Sequence, residues 1–197
     1  MTMTRETAPG TMADAQLVET EVLLPKPKRF VREALVMPDG YELDWYYVDT
    51  PPSVLTVPVT ADGDLVMVRQ YRHNLKAYAL EFAAGTANEG EDLAKAALRE
   101  LEEETGCTLA AGGELRALGA FYSLPSETNK YTHVYVANPV ILSGPATGDT
   151  EIEKYFDMSI VRLSFRDAIG SIGAAISGTE TVTALMLAHQ AVGLADR

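Results

Sequence analysis

Four carboxylates, Glu100, Glu102, Glu103 and Glu104, crowd the end of the segment Asp92–Glu104. Asp92 to Glu104 has good helix formers and neither Pro nor Gly, and Leu93, Ala97 and Leu101 recur at helical spacing. On such a helix Glu100 and Glu104 are four apart and share a face, with Glu103 beside them. The C-terminal turn is the unfavourable end for negative charge, because the helix dipole is negative there. Like charges at this spacing also repel by a few tenths of a kcal/mol (~0.2–0.5) per pair. A solvated acidic face is one reading of such a run. The other is a ligand that compensates the broken local rule. A hard divalent cation turns the repulsion into coordination, since magnesium prefers carboxylate oxygens and water.

The elements that must position these groups follow from the flanks. Gly106 stands where a left-handed residue ends the helix. Upstream, Tyr78 to Phe82 reads as a short strand that leads into the loop before the helix. Val54 to Thr60 and Leu65 to Tyr71 read as a hairpin around Asp62-Gly63. Phe30 to Val36 and Tyr41 to Val48 form another pair of strands around Pro38-Asp39-Gly40. Downstream, Glu114 to Tyr122 and Tyr131 to Val136 are strand-like, and Ile152 to Val161 holds a further strand. Helices are expected near Phe165–Ile172 and Thr179–Val192. The first 20 or so residues are small and polar and are expected to be loosely attached. The implied division is a polar tail over 1–29, a β segment over 30–53 and a main domain over 54–197.

Composition bounds the rest. The chain has 197 residues, enough for one domain with extensions. Its formal net charge of −12 argues against nucleic acid or an anionic membrane as partner. A small phosphorylated substrate remains possible where metal ions and a few arginines neutralise it locally. Cys107 is the only cysteine, so no intramolecular disulfide forms. The N-terminus has no apolar signal run, and no stretch has the length of a membrane span. A cytoplasmic location is the expectation.

The stretch GTANEGEDLAKAALRELEEETGC, Gly85 to Cys107, resembles the signature of the Nudix hydrolases. Gly85, Glu91, Arg99-Glu100-Leu101, Glu103-Glu104 and Gly106 carry the likeness, and Cys107 is an unusual final apolar residue. At average residue usage a chance match is on the order of one in ten million. The flanks resemble the ADP-ribose pyrophosphatase branch, through VRQYR (Val68–Arg72), EFAAG (Glu81–Gly85) and Pro125 in a later loop. Ala83 and Ser126 depart from that branch's usual Pro and Gly. The resemblance covers about residues 30 to 190.

It implies an α/β (α+β) fold: a Nudix-type α/β/α sandwich with a mixed sheet, preceded by an N-terminal antiparallel β segment. It implies magnesium, with manganese as an alternative, and a nucleoside diphosphate sugar as small-molecule substrate. Glu100, Glu103 and Glu104 are then the metal-ligand candidates, with the Ala84 carbonyl as a further ligand by resemblance. Two or more ions would bridge the phosphates and activate water. Arg99 and Glu91 are expected to orient the carboxylates through an ion pair. Arg69 and Arg72 are candidates for the diphosphate or the terminal ribose. Strand alternation puts them on opposite faces, so at least one is structural, and Arg72 leads. Trp45 is the candidate for stacking on a base, beside Tyr46 and Tyr47. Pro125 and Glu127 are candidate substrate contacts. For the group that positions water, Glu151 leads, followed by Glu153 and Glu127, with Glu103 behind them.

The N-terminal strands imply a homodimer by the same resemblance. The leading function is hydrolysis of ADP-ribose or a related nucleoside diphosphate sugar. The alternatives are removal of diphosphate from nucleoside triphosphates, and a non-catalytic domain that senses a nucleotide sugar. The long N-terminal β segment speaks against the first. Retention of the motif glutamates speaks against the second.

Overall fold

The computed structural model describes residues 11–147 and 155–192. The chain divides into two compact units. One contains the N-terminal residues through Thr50 together with Leu124–Lys130; the other contains Pro51–Ser123 and the chain from Tyr131 onward. The break between them falls after Thr50. The inclusion of Leu124–Lys130 in the first unit was not expected.

The first unit is an antiparallel sheet in the order β1-β2-β3, with β1 at Gln16–Leu24, β2 at Arg29–Val36 and β3 at Glu42–Asp49. Strands β2 and β3 match the expected pair. Strand β1 corrects the expected polar tail. It pairs with β2 from Gln16↔Val36 to Leu24↔Phe30. The segment Leu17-Val18 to Val22-Leu23-Leu24 has the β-branched and apolar content of a strand. The polar residues before it obscured that signal. Leu124–Lys130 is fastened to the end of β3. Val48 N–H donates to the Glu127 carbonyl at 2.9 Å and Thr128 Oγ1 donates to the Val48 carbonyl at 2.7 Å. Asn129 Nδ2 donates to Asp49 Oδ1 at 2.6 Å, while Thr50 N–H donates to Asn129 Oδ1 at 2.8 Å.

The second unit is a mixed seven-stranded sheet with helices on both faces. Its strands are β4 (Ser53–Thr60), β5 (Leu65–Arg72), β6 (Ala77–Glu81), β7 (Ala83–Thr86), β8 (Cys107–Tyr122), β9 (Tyr131–Leu142) and β10 (Ser159–Leu163). The path is β10-β5-β4-β9-β8, with β6 added to β5 and β7 to β4. Strands β4 and β9 pair in parallel and the other described pairs are antiparallel. The helices are α1 (Leu93–Thr105), α2 (Phe165–Gly170) and α3 (Thr179–Ala191).

Alternation along the central strands makes the sandwich, because successive side chains face opposite ways. Leu55, Val57, Val59, Met67, Val134 and Val136 pack with Ala168, Ala184, Leu185 and Ala188 of α2 and α3. Val54 and Tyr135 pack instead with Ala96 and Ala97 of α1, while Val66, Ala137 and Val140 pack with Leu101. Thr56, fully buried among them, donates its hydroxyl to the Ala97 carbonyl at 3.0 Å and leaves no orphan. Strands β8 and β9 are longer than expected, running from Cys107 and to Leu142 respectively. Strand β10 runs from Ser159 to Leu163, so of the expected Ile152–Val161 strand only 159–161 are extended; 155–158 lie outside any strand and 152–154 lie outside the described residues.

Candidate active site

Helix α1 is fixed at both ends. The Asp92 side chain accepts from Lys95 N–H at 3.0 Å, an N-cap that satisfies one of the free amides of the first turn. Gly106 closes the helix in the left-handed region with φ 68°, and its N–H donates to the Glu102 carbonyl at 2.8 Å. A Cβ at Gly106 would also overlap the Gly144 carbonyl oxygen. Leu101 and Ala97 anchor the inner face, and Glu100 and Glu104 lie against β7.

Arg99 is the hub of the carboxylates. Its Nε and Nη2 grip Glu91 Oε1 and Oε2 at 3.0 and 3.1 Å, a bidentate pair. Its Nη1 donates to Glu100 Oε1 and to Glu103 Oε2, each at 2.9 Å. Nη2 also reaches the Thr86 carbonyl at 3.3 Å. The expected Arg99–Glu91 ion pair is therefore present, and Arg99 additionally offsets the charge of two of the crowded glutamates. Glu104 turns elsewhere, with Oε2 accepting from Ala84 N–H at 2.9 Å. Glu100 is 9% exposed, and its carboxyl lies so close to Gly85 that any Cβ there would overlap it. A cleft of about 400 Å³ opens beside Arg99 and Glu103.

Among the described residues, no three His, Cys, Asp or Glu side chains stand together as a ready-made metal cage. Arg99 and the Ala84 amide hold the carboxylate oxygens. The donor set nevertheless suits a hard divalent cation: three glutamates at the end of one helix, two of them set against a strand whose Gly85 offers no side chain.

Arg99 hydrogen bonding, with help from Asn88 N–H, depresses the Glu91 pKa from 4.5 to about 2. The pKa of Arg99 is raised in turn, by its bond to Glu91 first. A carboxylate with a depressed folded pKa stabilises the fold above its unfolded pKa and loses that contribution as pH falls through the folded value. The melting-temperature gap between wild type and Glu91→Gln should thus be full above about pH 4.5 and close as pH approaches 2. Thermal melts of both proteins in chelator across that range check this. A gap that stays constant down to pH 2 contradicts the ion pair.

On β5, Gln70 and Arg72 share a face, as the alternation requires. Arg72 donates from Nε to Glu81 Oε1 at 2.9 Å and from Nη2 to Glu81 Oε2. Gln70 Nε2 donates to Glu81 Oε2 at 3.2 Å. Hydrogen bonding to Glu81 raises the Arg72 pKa, burial opposes the rise, and the fields of Glu81, Glu104 and Glu180 add to it. Arg69 instead lies over the Tyr78 ring, 3.5 Å from its centroid. Glu81 and Glu180 were not among the sequence candidates. Hairpin register could have exposed Glu81, because β6 brings it opposite Val68, diagonal to Gln70. No local pattern signals Glu180.

The structure thus gathers Glu91, Arg99, Glu100 and Glu103, ties Glu104 to Ala84, and puts Arg72 within the field of Glu104. Trp45, Pro125 and Glu127 belong to the first unit, where Trp45 is 41% exposed on β3. Glu151 and Glu153 lie outside the described residues.

Residues 49–170 match the model of the NUDIX domain. The chain belongs to the Nudix family. An ADP-ribose pyrophosphatase of Bacillus subtilis (strain 168) is 36% identical to this Nudix chain over 105 residues, 53% of this chain and 55% of that protein. The match therefore spans about half the length of that relative. A methanol dehydrogenase activator of Bacillus methanolicus is 30% identical over 145 residues, 73% of this chain and 77% of that protein. A crystal structure described as an ADP compounds hydrolase superposes with a TM-score of 0.76 at 21% identity, covering 93% of this chain and 97% of that one. That likeness is one of fold, and it agrees with the expected mixed-sheet Nudix sandwich. No helix among the described residues is long and apolar enough to cross a membrane.

Proposed function

We propose that this Nudix chain is a hydrolase that adds water across the diphosphate linkage of ADP-ribose or a related nucleoside diphosphate sugar. One P–O bond breaks, giving a nucleoside monophosphate and a sugar phosphate. The observation that carries this reading is the setting of Glu100 and Glu104 against β7, with Arg99 tying Glu100 and Glu103 to Glu91. Glu100, Glu103 and Glu104, with the Ala84 carbonyl, would hold magnesium or manganese. Bound there, the metal supplies charge neutralisation for the phosphates and an acidified water. Arg99 orients Glu100 and Glu103. Arg72, fixed by Glu81, presents a cation to the diphosphate. Trp45, Pro125 and Glu127 are the proposed substrate contacts of the N-terminal unit. The name of the Bacillus subtilis relative supports the substrate class. A cytoplasmic setting fits the single buried Cys107.

The test is a panel of ADP-ribose, GDP-mannose, UDP-glucose, dinucleoside polyphosphates and nucleoside triphosphates with magnesium. Release of nucleoside monophosphate from the sugars is expected. Turnover of nucleoside triphosphates alone would replace this reading with the triphosphate one. Hydrolysis in ¹⁸O water should put the label on a phosphate; label at a sugar carbon would mean glycosidic cleavage.

The working unit is proposed to be a homodimer. All nine residues of β1 are exposed, including Leu17, Val18, Val22, Leu23 and Leu24. Such a strand at a sheet edge calls for a cover. Light scattering at micromolar concentration should give twice the chain mass, and a monomer would refute this.

A further inference from the structure

Glu180 sits on the first turn of α3, half-buried in the second unit. The N-terminal end of a helix favours a negative charge. Its Oε1 accepts from two hydroxyls at the ends of different strands. Ser123, just past the end of β8, donates Oγ–H to it, and Thr132, near the start of β9, lies 3.3 Å away. The two hydroxyls are 3.5 Å from each other, so the three side chains form one cluster. Just beyond it, Tyr122 and Tyr131 pair their rings at 4.7 Å across the same two strand ends. Between these ends runs Leu124–Lys130, the segment that carries Pro125 and Glu127. Glu180 is also close enough for its field to act on Arg72.

A half-buried carboxylate needs donors to offset its lost hydration. Here the donors come from the two points where the Pro125–Glu127 segment departs and returns. We propose that Glu180 is a positioning residue of the active site, gathering Ser123 and Thr132 and so fixing both feet of the Leu124–Lys130 segment. This rests on the substrate reading given above for Pro125 and Glu127. It names a residue at helix α3, remote in sequence from the motif, as a determinant of substrate affinity.

The geometry separates position from charge. Glu180→Gln keeps a carbonyl oxygen that accepts both hydroxyls while removing the charge that faces Arg72. Glu180→Ala removes both. Ser123→Ala with Thr132→Val removes the donors and leaves the carboxylate. In ADP-ribose kinetics with magnesium, Glu180→Ala and the double variant should each raise KM about tenfold with kcat within about twofold. Glu180→Gln should stay within about threefold of wild type on both. Hydrogen exchange on the unliganded proteins should show faster exchange in peptides covering 123–132 for the first two variants and wild-type protection for Glu180→Gln. The exchange arm needs no substrate, so a wild-type protein inert on ADP-ribose removes the substrate reading but leaves the clamp measurable. Unchanged exchange over 123–132 in Glu180→Ala overturns the proposal. So does a Glu180→Gln protein as impaired as Glu180→Ala, which would assign the effect to charge.

Discussion

Glu104→Gln is expected to lower kcat on ADP-ribose by about 10²–10³ while leaving the fold intact, the scale of losing one transition-state electrostatic contact. Glu104 is the cleanest of the three glutamates to probe. Replacing Glu100 or Glu103 also removes a partner of Arg99 and disturbs the cluster it holds. Glu104 bonds instead to the Ala84 amide, and a glutamine Oε1 can accept that same N–H. What the substitution removes is the charge. Without metal, that charge meets the negative end of α1 and the charges of Glu100 and Glu103, with the field of Arg72 opposing them. The melting temperature in chelator should therefore be equal to or above that of wild type. Calorimetry should show weaker magnesium binding. Near-normal turnover would remove Glu104 from the metal site; a large loss of stability would mean that its bond to β7 matters more than its charge.

That bond illustrates where the sequence was readable. Helix α1 was legible because each level agreed: propensity, apolar spacing, an Asp before the first turn and a Gly after the last. The β4–β5 hairpin was legible for the same reason, with Gly63 taking a φ of +83° at the turn. Strand β7 was not. Ala83-Ala84-Gly85-Thr86 has little strand propensity, and it is extended because β4 pairs with it from Ser53↔Thr86 to Thr56↔Ala83. Tertiary pairing overrides local preference there. Strand β1 carried a readable pattern and was hidden by the polar residues ahead of it. In the site, the Arg99–Glu91 pair was legible because both partners lie in one motif. The Arg72–Glu81 pair depends on strand register, and Glu180 reaches Ser123 across 57 positions. Contacts of that kind have no local signature, so only the folded chain reveals them.

Gly85→Ala should produce a comparable effect by displacement instead of by charge. The Gly85 backbone is outside the left-handed region, so alanine costs nothing in φ. What a Cβ meets is the Glu100 carboxyl, the far end of a side chain. The carboxyl can move, and the fold should survive its moving. Alanine restricts the unfolded chain, which stabilises by about 0.4–1 kcal/mol. Overpacking opposes this by about 1–3 kcal/mol. The balance is a modest fall in melting temperature. Activity is far more sensitive, since a displacement on the order of 1 Å in a positioned group can cost about 10²-fold. Glu100 is held between Arg99 and β7, so the displaced carboxyl has no second position with the same bonds. We therefore expect kcat to drop about 10²-fold with a melting temperature only a few degrees (~2–8 °C) lower. The double variant with Glu100→Gln identifies the route. If Gly85 acts through Glu100, the two losses will not add, as for residues in direct contact. Fully multiplicative losses would mean that Gly85 serves the site some other way. Unchanged turnover with a lower melting temperature would make it a packing residue alone.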